Sequence, residues 1–115
     1  MTASPIPASA LSVSRSSRTL LFEGYRFGSQ SSFFAVDNGP GQGPSLHRHP
    51  YTETWHVITG EATIRMGDET VVAHAGDTAV VAPNMWHMFM NTGTDRLRML
   101  CIHASDRLIQ EDAER

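Results

Sequence analysis

The sequence predicts an all-β protein of sandwich or barrel type, and three observations carry the prediction. Short runs alternating apolar and polar residues recur at roughly 8 to 12 residue intervals. Gly, Asn, Asp and Pro punctuate them as turns do. Only the last segment, Ser105 to Glu114, has helical character, and it is short. At 115 residues the chain forms one domain with one core, so an active site lies inside that core or at a subunit interface.

Residues 1–18 are rich in Ser, Ala and Pro, with Ile6, Leu11 and Val13 too scattered to bury much surface. They read as a flexible N-terminal arm, free or docked on a neighbouring subunit, ahead of a single domain at 19–115. Apolar residues thicken at Leu20, Leu21, Phe22, Tyr25 and Phe27, broken by Gly24 and Gly28, as short strands joined by turns would be. Ser31 to Asp37 is the next strand, and the Gly/Pro-rich run from Asn38 to Pro44 is a loop.

Glu53 to Thr59 alternates cleanly, with Glu53, Trp55 and Val57 on one face and Thr54, His56 and Ile58 on the other. Gly60 ends that strand, Glu61 to Met66 reads as its hairpin partner, and Gly67-Asp68 is a tight turn into Thr70 to His74. Ala75-Gly76-Asp77 leads to Thr78 to Ala82, Pro83-Asn84 bends the chain, and Trp86 to Met90 and Arg96 to His103 complete the strands.

Composition excludes several function classes. All nine basic residues are Arg, so lysine Schiff-base chemistry is absent. The Arg residues are scattered and the net charge is −3, without the basic stripe of a nucleic-acid binder. No apolar run approaches the roughly 20 residues that span a bilayer. A single cysteine, Cys101, forms no internal disulfide, and with no signal-peptide pattern the expected location is cytoplasmic.

Chemistry concentrates in Gly41 to Gly60, where His47, His49 and Glu53 follow the spacing H-x-H-x-x-x-E. On extended backbone His47 and His49 project from one face about 6.5 to 7 Å apart, close enough to reach one ion. Glu53 keeps the same parity. His87 follows His49 by 38 residues, enough for a hairpin and a returning strand to bring it back. Imidazoles with a carboxylate suit a divalent transition metal better than Ca²⁺ or Mg²⁺, and a four-ligand set on an octahedral ion leaves two positions open.

Trp55 is either a core aromatic or, with Val57, Met85 and Phe89, the apolar wall of a substrate pocket. Met88 and Met90 have the parity opposite to His87 and face away from it. His56 and His74 read as structural or surface residues. His103 shares parity with Cys101 and Met99 and reads as exposed at its strand end, the alternative being a group beside the pocket. Cys101 and His103 lack the third orienting residue that a nucleophile and base would need.

These residues resemble the cupins, small jelly-roll β-barrels. The first cupin motif, G-x5-H-x-H-x3,4-E-x6-G, is matched by Gly41, His47, His49, Glu53 and Gly60. The second, G-x5-P-x-G-x2-H-x3-N, is matched by Gly76, His87 and Asn91. It departs at its centre, with Ala82 in place of the proline, Pro83 one later, and Asn84 in place of the glycine, a residue that tolerates positive φ. The 15 residues between the motifs match compact single-domain bacterial members.

The resemblance implies a cupin-type jelly-roll barrel holding one divalent metal (Fe, Mn, Ni, Cu or Zn) on His47, His49, Glu53 and His87. Cupins include dioxygenases, isomerases, decarboxylases and cyclases as well as non-catalytic binding domains. The function expected is a dioxygenase-like metalloenzyme acting on a small organic molecule, with Glu53 as ligand and transient base. The alternatives are a binding module or a non-redox isomerase or cyclase. Open sheet edges and outward Met and Trp positions point to a two-fold homodimer.

Overall fold

Ten strands make two five-stranded antiparallel sheets in the computed structural model, which describes residues 4–113. They are β1 (Leu20–Phe22), β2 (Ser32–Asn38), β3 (His47–Arg48), β4 (Glu53–Thr59), β5 (Glu61–Met66), β6 (Glu69–His74), β7 (Thr78–Val81), β8 (His87–Asn91), β9 (Leu97–His103) and β10 (Glu111–Asp112). One sheet runs β1-β2-β9-β4-β7 and the other β10-β3-β8-β5-β6. Among the described residues the only helical elements are two three-residue 3-10 turns, at Ala8–Ala10 and Gly24–Arg26.

The expected hairpin between Glu53–Thr59 and Glu61–Met66 does not form. β4 pairs with β7 and β9, whereas β5 pairs with β6 and β8 in the opposite sheet. Gly60 alone joins them, one residue short of the tightest common hairpin loop, so the chain steps between sheets. Its φ of 90° and its packing on the Arg96 carbonyl leave no room for a side chain.

The expected C-terminal helix is also replaced. Leu108 and Ile109 are adjacent and cannot form a helical stripe, and the chain runs on to β10, which covers the free edge of β3. Arg48 Nε donates to Glu111 Oε2 at 2.8 Å across that pair. Glu114, the last residue of that expected helix, lies outside the described residues, as do Met1 to Ala3 of the arm. Residues 4–18 take a path along the barrel, with Ser12 bridging Leu20 and the Leu21 N–H donating to the Leu11 carbonyl.

Alternation fills the space between the sheets. Trp55, Val57, Ile64, Val81, Phe89, Leu97, Met99 and Cys101 are buried together, while Val80, Ile102 and Met90 on the opposite parity are exposed. Register grades this interior from end to end. Glu53 lies opposite His103, Trp55 opposite Cys101 and Val57 opposite Met99 along β4 and β9. Polar groups therefore collect at one end of the barrel and apolar ones below them.

The divergent turn of the second motif forms. Asn84 has φ 60°, the one positive value among described non-glycine residues, and its N–H donates to the His49 carbonyl at 2.8 Å. Asn therefore takes the role expected of glycine and ties the β7–β8 connection to the ligand loop. Asn84→Val is expected to cost about 1–2 kcal/mol in urea unfolding, since a β-branched residue is strained there, whereas Asn84→Gly is nearly neutral. Equal stability of both variants would contradict this backbone assignment.

Candidate metal centre

Each sheet contributes to one cluster. His47 on β3 and His87 on β8 are directly paired in register, and their rings meet edge to face at 4.3 Å. Gly43 packs its backbone against the Phe89 carbonyl, which seats the loop leading to His47 close to β8; a Cβ there would collide with that carbonyl. Glu53 opens β4 on the other sheet, and His49 projects from the segment between. One ligand atom from each of His47, His49, Glu53 and His87 lies within 4.8 Å of every other, and all four residues are buried.

The backbone decides which nitrogen each imidazole presents. A carbonyl oxygen only accepts, so each Nδ1 near one carries the proton. His47 donates to the Ser45 carbonyl at 2.7 Å, His49 to Tyr51 at 3.0 Å and His87 to Met85 at 2.8 Å. Three Nε2 atoms are left to face the cluster as lone-pair donors, the arrangement that orients metal-binding histidines.

Glu53 meets them. Its Oε1 lies 2.8 Å from His49 Nε2 and 3.1 Å from His87 Nε2. Burial pushes its carboxyl up, but the imidazoles of His103, His49 and His87 together outweigh burial and hold it well below the usual carboxylate range. Burial likewise lowers the His47 pKa and favours its neutral form. With Nδ1 already committed, His49 and His87 could donate to Oε1 only as buried imidazolium ions. A divalent cation among the same atoms satisfies every lone pair at once, so the donor set fits a metal.

The other oxygen of Glu53 is separately engaged. Trp55 Nε1 donates to Oε2 at 2.8 Å, and His103 Nε2 lies 3.2 Å from it. His103 is 2% exposed, so the expectation of an exposed strand end is corrected: alternation along β9 continues to its last residue. Its Nδ1 is 2.8 Å from the Tyr51 hydroxyl. Tyr51 itself, stacked on His49 at 4.3 Å, follows Pro50 in a stretch without periodicity, so no sequence pattern marks it.

A cavity of about 840 Å³ opens against this end of the barrel. It touches His47, Glu53 and His103 and is walled by Phe34, Val36, Phe89 and Cys101, with Arg18, Asp37, Asn38 and Arg96 among its polar lining. Of the expected wall residues, Phe89 lines it. Trp55 and Val57 lie deeper in the core, since β4 descends from Glu53 toward the apolar end, and Met85 packs against the core from the β7–β8 bend. Residues 16–19 supply another part of the lining, which low hydropathy concealed. Burial raises the Cys101 thiol far above its ordinary pKa and keeps it protonated, unsuited to nucleophilic attack.

Residues 35–103 match the cupin domain family. The chain belongs to the cupins. A curated relative is mannose-1-phosphate guanylyltransferase 2 of Escherichia coli O157:H7, 29% identical over 74 residues, or 64% of this cupin and 15% of that protein. This cupin therefore spans less than a sixth of the relative's length. Among solved structures, Bacillus subtilis oxalate decarboxylase, a protein with Mn(II) centres, superposes with a TM-score of 0.75 at 24% identity over 82% of this cupin and 27% of that chain. A conserved Klebsiella pneumoniae protein with a double-stranded beta-helix domain superposes with a TM-score of 0.76 at 24% identity, covering 99% of this cupin and all of its counterpart. These two structural likenesses speak for the fold.

Proposed function

We propose that this cupin is a metalloenzyme of the dioxygenase-like oxidoreductase class acting on a small organic molecule in its cavity. The observation that carries the reading is the convergence of three backbone-oriented Nε2 atoms and one carboxylate oxygen within 4.8 Å, beside a cavity that touches His47 and Glu53. His47, His49, Glu53 and His87 would hold the ion, which when bound supplies Lewis acidity and, for Fe or Mn, redox capacity. Phe34, Val36 and Phe89 offer apolar contact to a substrate body, and the polar lining at Arg18 and Asn38 offers hydrogen bonds to its oxygens.

One observation favours a second reading, a binding module. The ionisable groups lining the cavity beyond the ligands are largely engaged already, His103 with Tyr51 and Glu53, and Asp37 with Arg96 at 2.6 Å. Protein purified without chelators is expected to carry about one transition-metal ion per chain and to consume oxygen with members of a phenol and diketone panel. Full metal occupancy without oxygen uptake or turnover moves the assignment to the binding module.

A homodimer is part of the same proposal. Ile102 and Val80, on the outer face of the β1-β2-β9-β4-β7 sheet, are 41% and 61% exposed and supply apolar area for it. Light scattering during size exclusion measures the mass directly, and a clean monomer ends that part of the reading.

A further inference from the structure

Glu53 does not present its two oxygens alike. Oε1 faces the Nε2 atoms of His49 and His87, while Oε2 faces Trp55 Nε1 at 2.8 Å and His103 Nε2 at 3.2 Å. An indole N–H only donates, so the first of these contacts occupies Oε2 without ambiguity. The second depends on where His103 carries its proton.

A short chain of hydrogen bonds answers that. The Ile109 backbone N–H donates to the Tyr51 oxygen at 3.4 Å. With its oxygen already accepting from an amide, Tyr51 directs its own proton to His103 Nδ1, 2.8 Å away. Nδ1 is thereby the acceptor, and the ring proton lies on Nε2, which stands 3.2 Å from Glu53 Oε2. The tautomer is opposite to that of His47, His49 and His87, whose protons are on Nδ1. His103 thus meets the cluster as a donor where the other three meet it as acceptors.

We propose that Trp55, His103 and Tyr51 are positioning residues that restrict Glu53 to single-oxygen coordination, with Oε1 given to the metal and Oε2 withheld by the Trp55 N–H and the His103 Nε2 facing it. The inference rests on the metal-site reading and extends it to residues outside the ligand set. All three are buried or nearly so, and every polar atom involved is partnered. A carboxylate free to turn would chelate through both oxygens and take a position that a substrate otherwise uses.

The test uses the whole chain loaded with Mn(II) alone, read by the infrared difference between loaded and metal-free protein. Single-oxygen carboxylate coordination separates the antisymmetric and symmetric stretches widely, and chelation narrows the gap. Wild type is expected to show the wide separation. His103→Leu is expected to narrow it and to weaken Mn(II) binding about tenfold to a hundredfold, as lost support of a ligand does. His103→Gln, which returns an N–H near the Nε2 position, is expected to restore both.

Should His103→Leu fail to fold, Tyr51→Phe decides the matter, since it removes one hydroxyl and releases the His103 tautomer. Narrowing with weaker binding supports the proposal. A narrow wild-type separation, or spectra and affinities unchanged in Tyr51→Phe and His103→Leu, overturns it while leaving the metal site standing. A wild-type chain that takes up no Mn(II), Fe(II) or Zn(II) overturns the site reading itself.

Discussion

His87→Ala is expected to lower metal affinity by at least about a hundredfold, beyond what losing a supporting group costs, because it removes a direct ligand. His87 is fully buried, opposite His47 across two strands, with its Nδ1 fixed by the Met85 carbonyl. His103 is not placed to replace its Nε2, since it faces the other oxygen of Glu53 and its Nδ1 is engaged by Tyr51. The substitution also leaves a void beside Trp55, whose ring packs on His87 at 5.6 Å, which destabilises the metal-free variant. Metal content by mass spectrometry after chelator-free purification, with the melting temperature measured with and without added Mn(II), checks both effects. Wild type should gain thermal stability from the ion and the variant should not. Unchanged occupancy would remove His87 from the ligand set.

Trp55→Ala should be the most damaging single change to the barrel. Trp55 is 1% exposed, packs edge to face on Phe89 at 5.5 Å and on His87 at 5.6 Å, and donates to Glu53. Truncating a buried Trp costs about 3–5 kcal/mol, a large share of the roughly 5–15 kcal/mol that holds a small domain folded. Urea unfolding of metal-free protein measures the loss without the contribution of the ion. A loss under about 1 kcal/mol would show that this side chain is not the centre of the core. The variant is also expected to hold metal poorly, as one tryptophan spans the apolar layer and the polar end above it.

Local alternation and the His/Glu spacing were the legible part of the sequence. Parity placed Glu53, Trp55 and Val57 on the inner face of β4 and sent Met88 and Met90 outward on β8. Positive φ at Asn84 followed from the residue type where a glycine was expected. Pairing partners were less legible, because the choice between hairpin and sheet change at Gly60 depends on what packs against the turn, here the Arg96 carbonyl 36 residues later. His103 shows the same limit at a single residue. It shares parity with Cys101 and Met99 but reads as an exposed strand end, because its burial depends on Tyr51 and Glu53 arriving from elsewhere beside its two ring nitrogens. The cavity wall at residues 16–19 lay hidden because Ser, Arg and Thr carry no apolar signal.

The tail beyond β9 changes meaning once its contacts are followed. Glu111 and Asp112 pair with Arg48 and His47, and the Ile109 amide reaches the Tyr51 hydroxyl. The end of the chain thus grips the strand bearing one ligand and the hydrogen-bond chain leading to another. Free-energy coupling of this kind is reciprocal. Loosening residues 109–112 would raise the cost of assembling the centre, and a filled centre would raise the cost of loosening them, so amide exchange there is expected to slow on addition of Mn(II).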